Sequence, residues 1–133
     1  FLNILVIIAF ENKKITISNQ AIDVEFTTDE LLLKRVLINL LKNALEASSI
    51  NNIVTLNCRL EYNDVVFSVH NQSFMPRDVQ LQVFQRSFST KGSNRGLGTY
   101  SIKLLTERYL KGSVGFNTSE IDGTTFWIKL RKS

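Results

Sequence analysis

The sequence has little of what usually interrupts or cross-links a chain. Its 133 residues include one cysteine, one proline and six glycines. The lone cysteine, Cys58, excludes an internal disulfide and favours a reducing compartment, unless it serves only as a small buried hydrophobic residue. Neither the single proline nor any linker-like or repeated segment divides the chain. We therefore expect residues 1–133 to form one domain.

Long apolar runs and an excess of one charge are also scarce. The one long apolar run, residues 1–10, falls short of the roughly twenty residues that span a bilayer, and it lacks the basic start of a signal peptide. Sixteen basic and twelve acidic residues give a net charge of +4, which suits an anionic ligand. No basic run indicates nucleic acid. We expect a domain that is not membrane-embedded and binds no nucleic acid, and the start without Met suggests a fragment of a longer protein.

Strand-like patterns occupy the start, the middle and the end of the chain. Alternation of apolar and polar side chains predicts strands or strand pairs in “KKITIS”, “AIDVEF”, “NIVTLNCRLEYNDVVFSVH” and “GSVGFNTSEIDGTTFWIKL”. The first two are expected to pair as a hairpin about Asn19–Gln20. The third segment is expected to turn at residues 62–64, and the last near Asp122–Gly123.

Two helices are predicted between these strands. “TTDELLLKRVLINLLKNALEASS” has an apolar stripe at helical spacing, and Thr27 with Glu30 forms a capping box at its start. A long irregular stretch with a short helical piece near residues 78–84 precedes a second helix from Thr99 to about Leu110. The order of elements predicts an α+β fold, a two-layer sandwich in which helices back one face of a mixed, mostly antiparallel sheet.

Two polar features stand out against this pattern. Asn39 and Asn43 share a face of the long helix, where an unsatisfied buried amide costs about 1–3 kcal/mol. They either bond to neighbouring loops or offer amide oxygens, which magnesium accepts as ligands. Gly96 and Gly98 leave backbone amides uncovered just before a predicted helix, which indicates either a tight turn or an anion site at the helix start.

Four motifs together resemble the GHKL ATPase superfamily, which includes DNA gyrase, MutL and the sensor histidine kinases. “RVLINLLKNALEAS” resembles the asparagine box, and “VFQRSFSTKG” resembles the phenylalanine box of the kinases. “RGLGTYSIKLL” is similar to their second glycine box, and “KGSVGFNTSEIDGTTFWIKL” to their closing hairpin. The resemblance extends from about Lys14 to Leu130 and implies the Bergerat fold, with ATP held between the long helix and a mobile lid.

The resemblance also implies roles for individual residues around ATP and Mg²⁺. Asn43 would coordinate the magnesium that bridges the phosphates, and Asn39 would support the same face as a further catalytic residue. The backbone of Gly96, Leu97 and Gly98 would approach the phosphates, ahead of a helix that begins with Thr99 and Tyr100.

The lid is expected within residues 84–95, with Phe84 and Phe88 packed on the core. Ser89, Thr90 and Lys91 would belong to its mobile part. There Lys91 either balances phosphate charge as a catalytic residue or is an ordinary solvated lysine.

The residue at position 39 separates the activities of the superfamily. In its hydrolysing members a glutamate at the equivalent place activates water, whereas the amide of Asn39 cannot take a proton at neutral pH. The resemblance to the histidine-kinase branch implies transfer of the γ-phosphate to a histidine on a separate dimerisation domain. A response regulator is the further protein partner that this resemblance implies. The only histidine, His70, does not lie in a helical acceptor motif. We expect a cytoplasmic domain, whether or not the whole protein is membrane-anchored.

The first glycine box of the family is missing. An aspartate there accepts a hydrogen bond from the exocyclic amine of adenine, but this sequence has “FSVHNQSFMP”. Strand alternation places Asn71 at that position, whereas counting back from Pro76 places His70 there. We expect Asn71 to bind adenine, because its amide can accept from the exocyclic amine and donate to the neighbouring ring nitrogen. Glu46 replaces a basic residue common in these kinases. A degenerate module that signals through protein contacts, with weak or no ATP binding, is therefore the alternative function.

Overall fold

The computed structural model describes residues 14–22, 26–48, 52–85 and 93–132, and the side chains of Lys14 and of residues 93–98 are not described. Within these ranges the elements are β1 (Lys14–Ile17), α1 (Glu30–Ala47), β2 (Ile53–Glu61), β3 (Asp64–Asn71), α2 (Arg77–Gln80), α3 (Ser93–Leu104), a π-helical segment (Leu105–Tyr109), β4 (Ser113–Ser119) and β5 (Gly123–Arg131). No helix among the described residues is long and apolar enough to cross a membrane.

The described strands form one mixed sheet in the order β1-β2-β3-β5-β4. The β1–β2 pair is parallel and the other neighbouring pairs are antiparallel. The β2–β3 hairpin turns at Tyr62 and Asn63, and the β4–β5 hairpin turns at residues 120–122. The α+β class and both of these hairpins are confirmed.

Helix α1 covers one face of this sheet with the apolar stripe that the sequence predicted. Its buried side chains are Val36, Leu37, Leu40, Leu41, Ala44 and Leu45. They share one core with inward-facing residues of the central strands, including Val54, Val69 and Ile128. Each large apolar side chain buried in this way contributes about 1.5–3 kcal/mol.

The start of α1 differs from the prediction. Its N-cap is Asp29, whose Oδ1 accepts a hydrogen bond from Leu32 N–H at 3.1 Å. The capping box at Thr27 is therefore wrong by two residues. Aspartate is as good an N-cap as threonine or better, so the helix begins at the acceptor nearest its first buried turn.

The hairpin expected between “KKITIS” and “AIDVEF” does not form where the chain is described. Ser18 N–H donates to Leu56 O, and Ile22 N–H donates to Cys58 O, so the segment after β1 continues along the edge of β2. Alternation predicts an extended chain but not which strand it joins. The rest of that segment, residues 23–25, lies outside the described residues.

On the face of the sheet opposite α1, side chains reach across neighbouring strands. The indole of Trp127 lies over Gly115 on β4, where a Cβ would come within 2.3 Å of the ring. Lys129 lies 5.7 Å from the Trp127 ring and 2.7 Å from a carboxylate oxygen of Glu61. The hydrogen bond and the charge of Lys129 lower the pKa of the Glu61 carboxyl, and Arg59 lowers it further by a smaller amount.

Candidate functional site

Asn39 and Asn43 lie one turn apart on α1, at the edge of its buried stripe. Both side chains are half-buried, beside the fully buried Leu40 and Ala44. No hydrogen bond of either side-chain amide occurs within the part of the chain that the structure describes. The bonds to neighbouring loops that the sequence left open are not made by the described loops. Two amides with unused hydrogen-bonding capacity therefore face the same side of the helix.

Strand alternation at the end of β3 distinguishes the two candidates for the adenine-binding position, His70 and Asn71. Val65, Phe67 and Val69 belong to the core, so Asn71, two residues further, lies on the helix-covered face and is 2% exposed. His70 lies on the opposite face, where its Nε2 bonds to the carbonyl oxygen of Asp122 at 2.5 Å. Of the two, only Asn71 lies on the same side of the sheet as α1.

The loop after β3 is fixed by side chains in place of the absent glycines. Ser73 N–H donates to Asn71 Oδ1 at 3.0 Å, and Ser73 Oγ donates to the carbonyl oxygen of Ala47 at 2.6 Å. Ala47 is the last residue of α1, one turn beyond Asn43. The Ser73 hydroxyl therefore ties the end of β3 to the helix that bears the two asparagines.

Two threonines of the β4–β5 hairpin also bind the loop after β3, through its backbone at Ser73 and Met75. Thr124 Oγ1 donates to the carbonyl oxygen of Ser73 at 2.7 Å, and it lies 2.8 Å from Thr118 Oγ1. Met75 N–H donates to Thr118 Oγ1 at 3.0 Å. Sequence reasoning missed this cluster because its partners lie far apart along the chain. The one signal in the sequence was the missing first glycine box, where the chain has “NQSFMP”.

Helix α3 begins earlier than expected. The predicted start was Thr99, but the helix spans Ser93–Leu104, so Gly96, Leu97 and Gly98 lie inside it. Glycine in a helix costs about 1 kcal/mol relative to alanine. That cost is offset by packing further along, where Thr99 is buried and Ile102 is completely buried. Helical geometry continues through the π-helical segment to Tyr109, close to the predicted end.

Phe84, at the start of the predicted lid, packs on the core as expected. The Phe84 ring lies 6.0 Å from the rings of both Phe116 and Phe126, and Lys103 Nζ lies 5.7 Å from its centre. The helical piece predicted near residues 78–84 is present as α2 and the turns that follow it. Phe88, Ser89, Thr90 and Lys91 fall outside the described residues.

The described side chains of this site, the amides of Asn39, Asn43 and Asn71, offer neutral oxygen and nitrogen atoms. Among the described residues, no group of three or more His, Cys, Asp or Glu side chains could hold a metal ion. A metal here would take amide oxygens together with oxygens from a ligand and water, and Mg²⁺ is commonly bound in this way through substrate phosphates. The donor set of Asn39 and Asn43 fits such an ion.

Comparisons with known proteins agree with this arrangement. The family described as “Histidine kinase-, DNA gyrase B-, and HSP90-like ATPase” matches residues 28–133. The heme sensor protein HssS of Staphylococcus haemolyticus is 25% identical over 123 residues, 90% of this chain and 27% of that protein. Sporulation kinase C of Bacillus subtilis is 30% identical over 104 residues, 77% of this chain and 24% of that protein. The chain thus spans about a quarter of the length of these relatives.

The fold matches those of solved kinase domains. The catalytic domain of histidine kinase ThkA superimposes with a TM-score of 0.83 and 26% identity, over 98% of this chain and 90% of that domain. The expected superfamily, the Bergerat-type sheet backed by helices and the histidine-kinase type of catalytic domain are confirmed.

Proposed function

Because the chain belongs to the histidine kinase-, DNA gyrase B- and HSP90-like ATPase family, we propose that it is the ATP-binding catalytic domain of a sensor histidine kinase. It holds ATP so that the γ-phosphate passes to a histidine on a separate dimerisation domain. The observation that carries this proposal is the pair of half-buried amides of Asn39 and Asn43, which have no hydrogen-bond partner among the described residues. A polar ligand at this face would supply the partners that they lack.

In the proposed function, Mg²⁺ and the phosphates of ATP bind at the side of α1 that bears Asn39 and Asn43. Asn43 gives its amide oxygen to the metal, and Asn39 supports the same side of α1. When bound, the metal neutralises phosphate charge and holds the phosphate oxygens in place. Asn39 has no proton-accepting atom at neutral pH, so it positions the ligand without activating water, which disfavours hydrolysis.

The base and the phosphates take opposite ends of the site. Asn71 binds adenine through its buried amide. Gly96, Leu97, Gly98 and Thr99 approach the phosphates from near the N-terminal end of α3, where the helix dipole favours an anion. Of their N–H groups, that of Gly96 is among the first four of the helix, which have no intrahelical acceptor. Thr90 and Lys91 complete the phosphate site from the lid, with Lys91 supplying positive charge to the transferred group.

The partners of the proposed reaction are proteins. The only histidine, His70, points away from α1 and bonds to a hairpin carbonyl, which leaves the acceptor to a dimerisation domain. ThkA, whose catalytic domain is 26% identical to this chain, has been solved in complex with the response regulator protein TrrA. A response regulator is therefore the next acceptor that we propose, and the domain would act in the cytoplasm, where ATP is supplied.

One observation favours a second function. Ser73 and Phe74 stand in the loop where the family has glycines, and Phe74 is 42% exposed. A side chain at either place narrows the space for a base. The second candidate is a module with weak or no ATP binding that signals through protein contacts.

Calorimetric titration of the chain with ATP, with and without Mg²⁺, decides between the two functions. We expect Mg²⁺-dependent binding that Asn43→Ala weakens at least tenfold while the melting temperature changes little. Asn117→Ala is the matched control, because it removes an exposed amide on the face of the sheet opposite α1. Absence of binding at millimolar Mg²⁺-ATP would support the second function. Unchanged affinity with a lowered melting temperature would make Asn43 structural.

A further inference from the structure

The side-chain amide of Asn71 has an orientation that its surroundings select. A backbone N–H can only donate, so the group that faces Ser73 N–H at 3.0 Å must be the amide oxygen. The NH₂ group therefore points the other way. Asn71 is 2% exposed, and its NH₂ has no hydrogen-bond partner among the described residues. A buried amide in one fixed orientation thus offers two N–H donors and one spare acceptor position.

Orientation matters because an amide can match either purine. On the same edge, adenine presents an amine donor beside a ring-nitrogen acceptor, whereas guanine presents a carbonyl acceptor beside an N–H donor. An amide with its oxygen on one side pairs with the first pattern, and the same amide turned over pairs with the second. A carboxylate has no donor, so turning it over changes nothing. With asparagine at position 71, selection between the bases therefore depends on what prevents the amide from turning.

Ser73, which supplies this N–H, is held at its carbonyl oxygen by a chain of hydrogen bonds whose direction can be worked out. Thr124 uses its one hydroxyl proton to donate to the Ser73 carbonyl at 2.7 Å. The bond between the two threonine hydroxyls, at 2.8 Å, must then be donated by Thr118. Thr118 in turn accepts from Met75 N–H at 3.0 Å. The chain runs from Met75 N–H through both hydroxyls to the Ser73 carbonyl, and such chains strengthen each member.

From this geometry we propose that Thr118 is a positioning residue that makes the domain select adenine over guanine. The inference rests on the proposed function, because it takes Asn71 as the residue that meets the base. Thr118 does not itself touch the base. It fixes the loop that contains Ser73, and Ser73 N–H fixes the Asn71 amide. Ser73 Oγ, bonded to Ala47, fixes the other side of the same residue.

The experiment compares the dissociation constants of Mg²⁺-ATP and Mg²⁺-GTP for the same chain. We expect the unmodified chain to prefer ATP. Thr118→Val keeps the size of the side chain and removes its hydroxyl, so it should reduce the ATP:GTP affinity ratio about tenfold, within the discrimination that one amide–base pair supplies. Thr118→Ser keeps the hydroxyl and should keep the ratio.

Repeating the Thr118→Val substitution in a second variant, Asn71→Asp, distinguishes a positioning role of Thr118 from a purely structural one. In Asn71→Asp, the carboxylate presents the same two acceptor oxygens in either orientation, so adding Thr118→Val should leave the ATP:GTP ratio unchanged. If Thr118→Val weakens both nucleotides equally in the Asn71 background, Thr118 is only structural and the inference is wrong. Equal affinity of the unmodified chain for ATP and GTP also overturns it, while leaving the proposed function intact. Binding of neither nucleotide overturns the proposed function itself.

Discussion

Replacing Gly123 with alanine should lower both the stability of the fold and its affinity for nucleotide, because a side chain at this position is strained in two ways. Its φ is +79°, a conformation that side-chain-bearing residues rarely adopt. A Cβ built there would lie 2.2 Å from the carbonyl oxygen of Asn71 and 2.9 Å from backbone atoms of Gln72. Both contacts are with backbone, which cannot turn aside as a flexible side chain can. The end of β3 must therefore move.

The two strains set the size of the effect. The left-handed conformation costs a residue with a Cβ about 1–2 kcal/mol, and overpacking against backbone costs about 1–3 kcal/mol. Gly123→Ala should then lower the free energy of unfolding by about 2–5 kcal/mol, a large part of the roughly 5–15 kcal/mol typical of a domain. Movement of Asn71 should also weaken Mg²⁺-ATP binding in the fraction that remains folded.

Urea unfolding and an ATP titration at low temperature measure the two effects separately. Gly112→Ala is the matched control, because its Cβ would also meet a backbone carbonyl, that of Lys129, at 2.3 Å. Gly112 has no positive φ and precedes β4, at the end of the sheet away from Asn71. It should lose stability but keep its affinity for ATP. A stability change below about 0.5 kcal/mol for Gly123→Ala would refute the strain argument, and equal effects of both variants on affinity would refute the role of Asn71.

Thr106→Val should stabilise the chain by about 1 kcal/mol and raise Tm by a few degrees, because the buried Thr106 hydroxyl has no partner in the described part of the chain. Asp29→Ala should cost about 1 kcal/mol in urea unfolding, whereas Thr27→Ala should be neutral, as the observed N-cap requires. Stability measured against pH should fall as pH drops below about 4.3 and through the folded pKa of Glu61, because Lys129 and Arg59 hold that pKa low. Glu61→Gln should flatten this part of the curve, and salt should weaken it.

The parts of the fold that the sequence predicted are those that local periodicity specifies. The stripe of α1 and the alternation of β2, β3 and β5 are read over many consecutive residues, so one ambiguous residue does not change the result. Boundaries depend on single residues. Asp29 and Thr27 are both good N-caps, and the choice between them follows from where the first buried turn of the helix meets the sheet, which no local pattern contains.

The two glycines of the “GLG” motif led the prediction astray for a related reason. Glycine permits a turn but does not require one, and packing of Ile102 against the core extends the helix back through Gly96 and Gly98 to Ser93. The same limit applies to the loop after β3. Its shape comes from hydrogen bonds between Ser73 and Thr124, and between Met75 and Thr118, that are 43 or more residues apart along the chain. Spacing within the loop could not predict them.

The side chains of α1 and β3 that are assigned to the nucleotide, those of Asn39, Asn43 and Asn71, are all amides, and this constrains the reaction of the proposed function. Amides neither ionise nor accept a proton near neutral pH, so they can hold ATP and Mg²⁺ without providing a base or a nucleophile. The base and the nucleophile must then be supplied together with the acceptor histidine. Bound ATP would be stable until the dimerisation domain docks, and the timing of phosphate transfer would be set by that docking rather than by chemistry within this domain. A carboxylate at position 39 would remove this dependence, because it would let water compete with the histidine for the γ-phosphate.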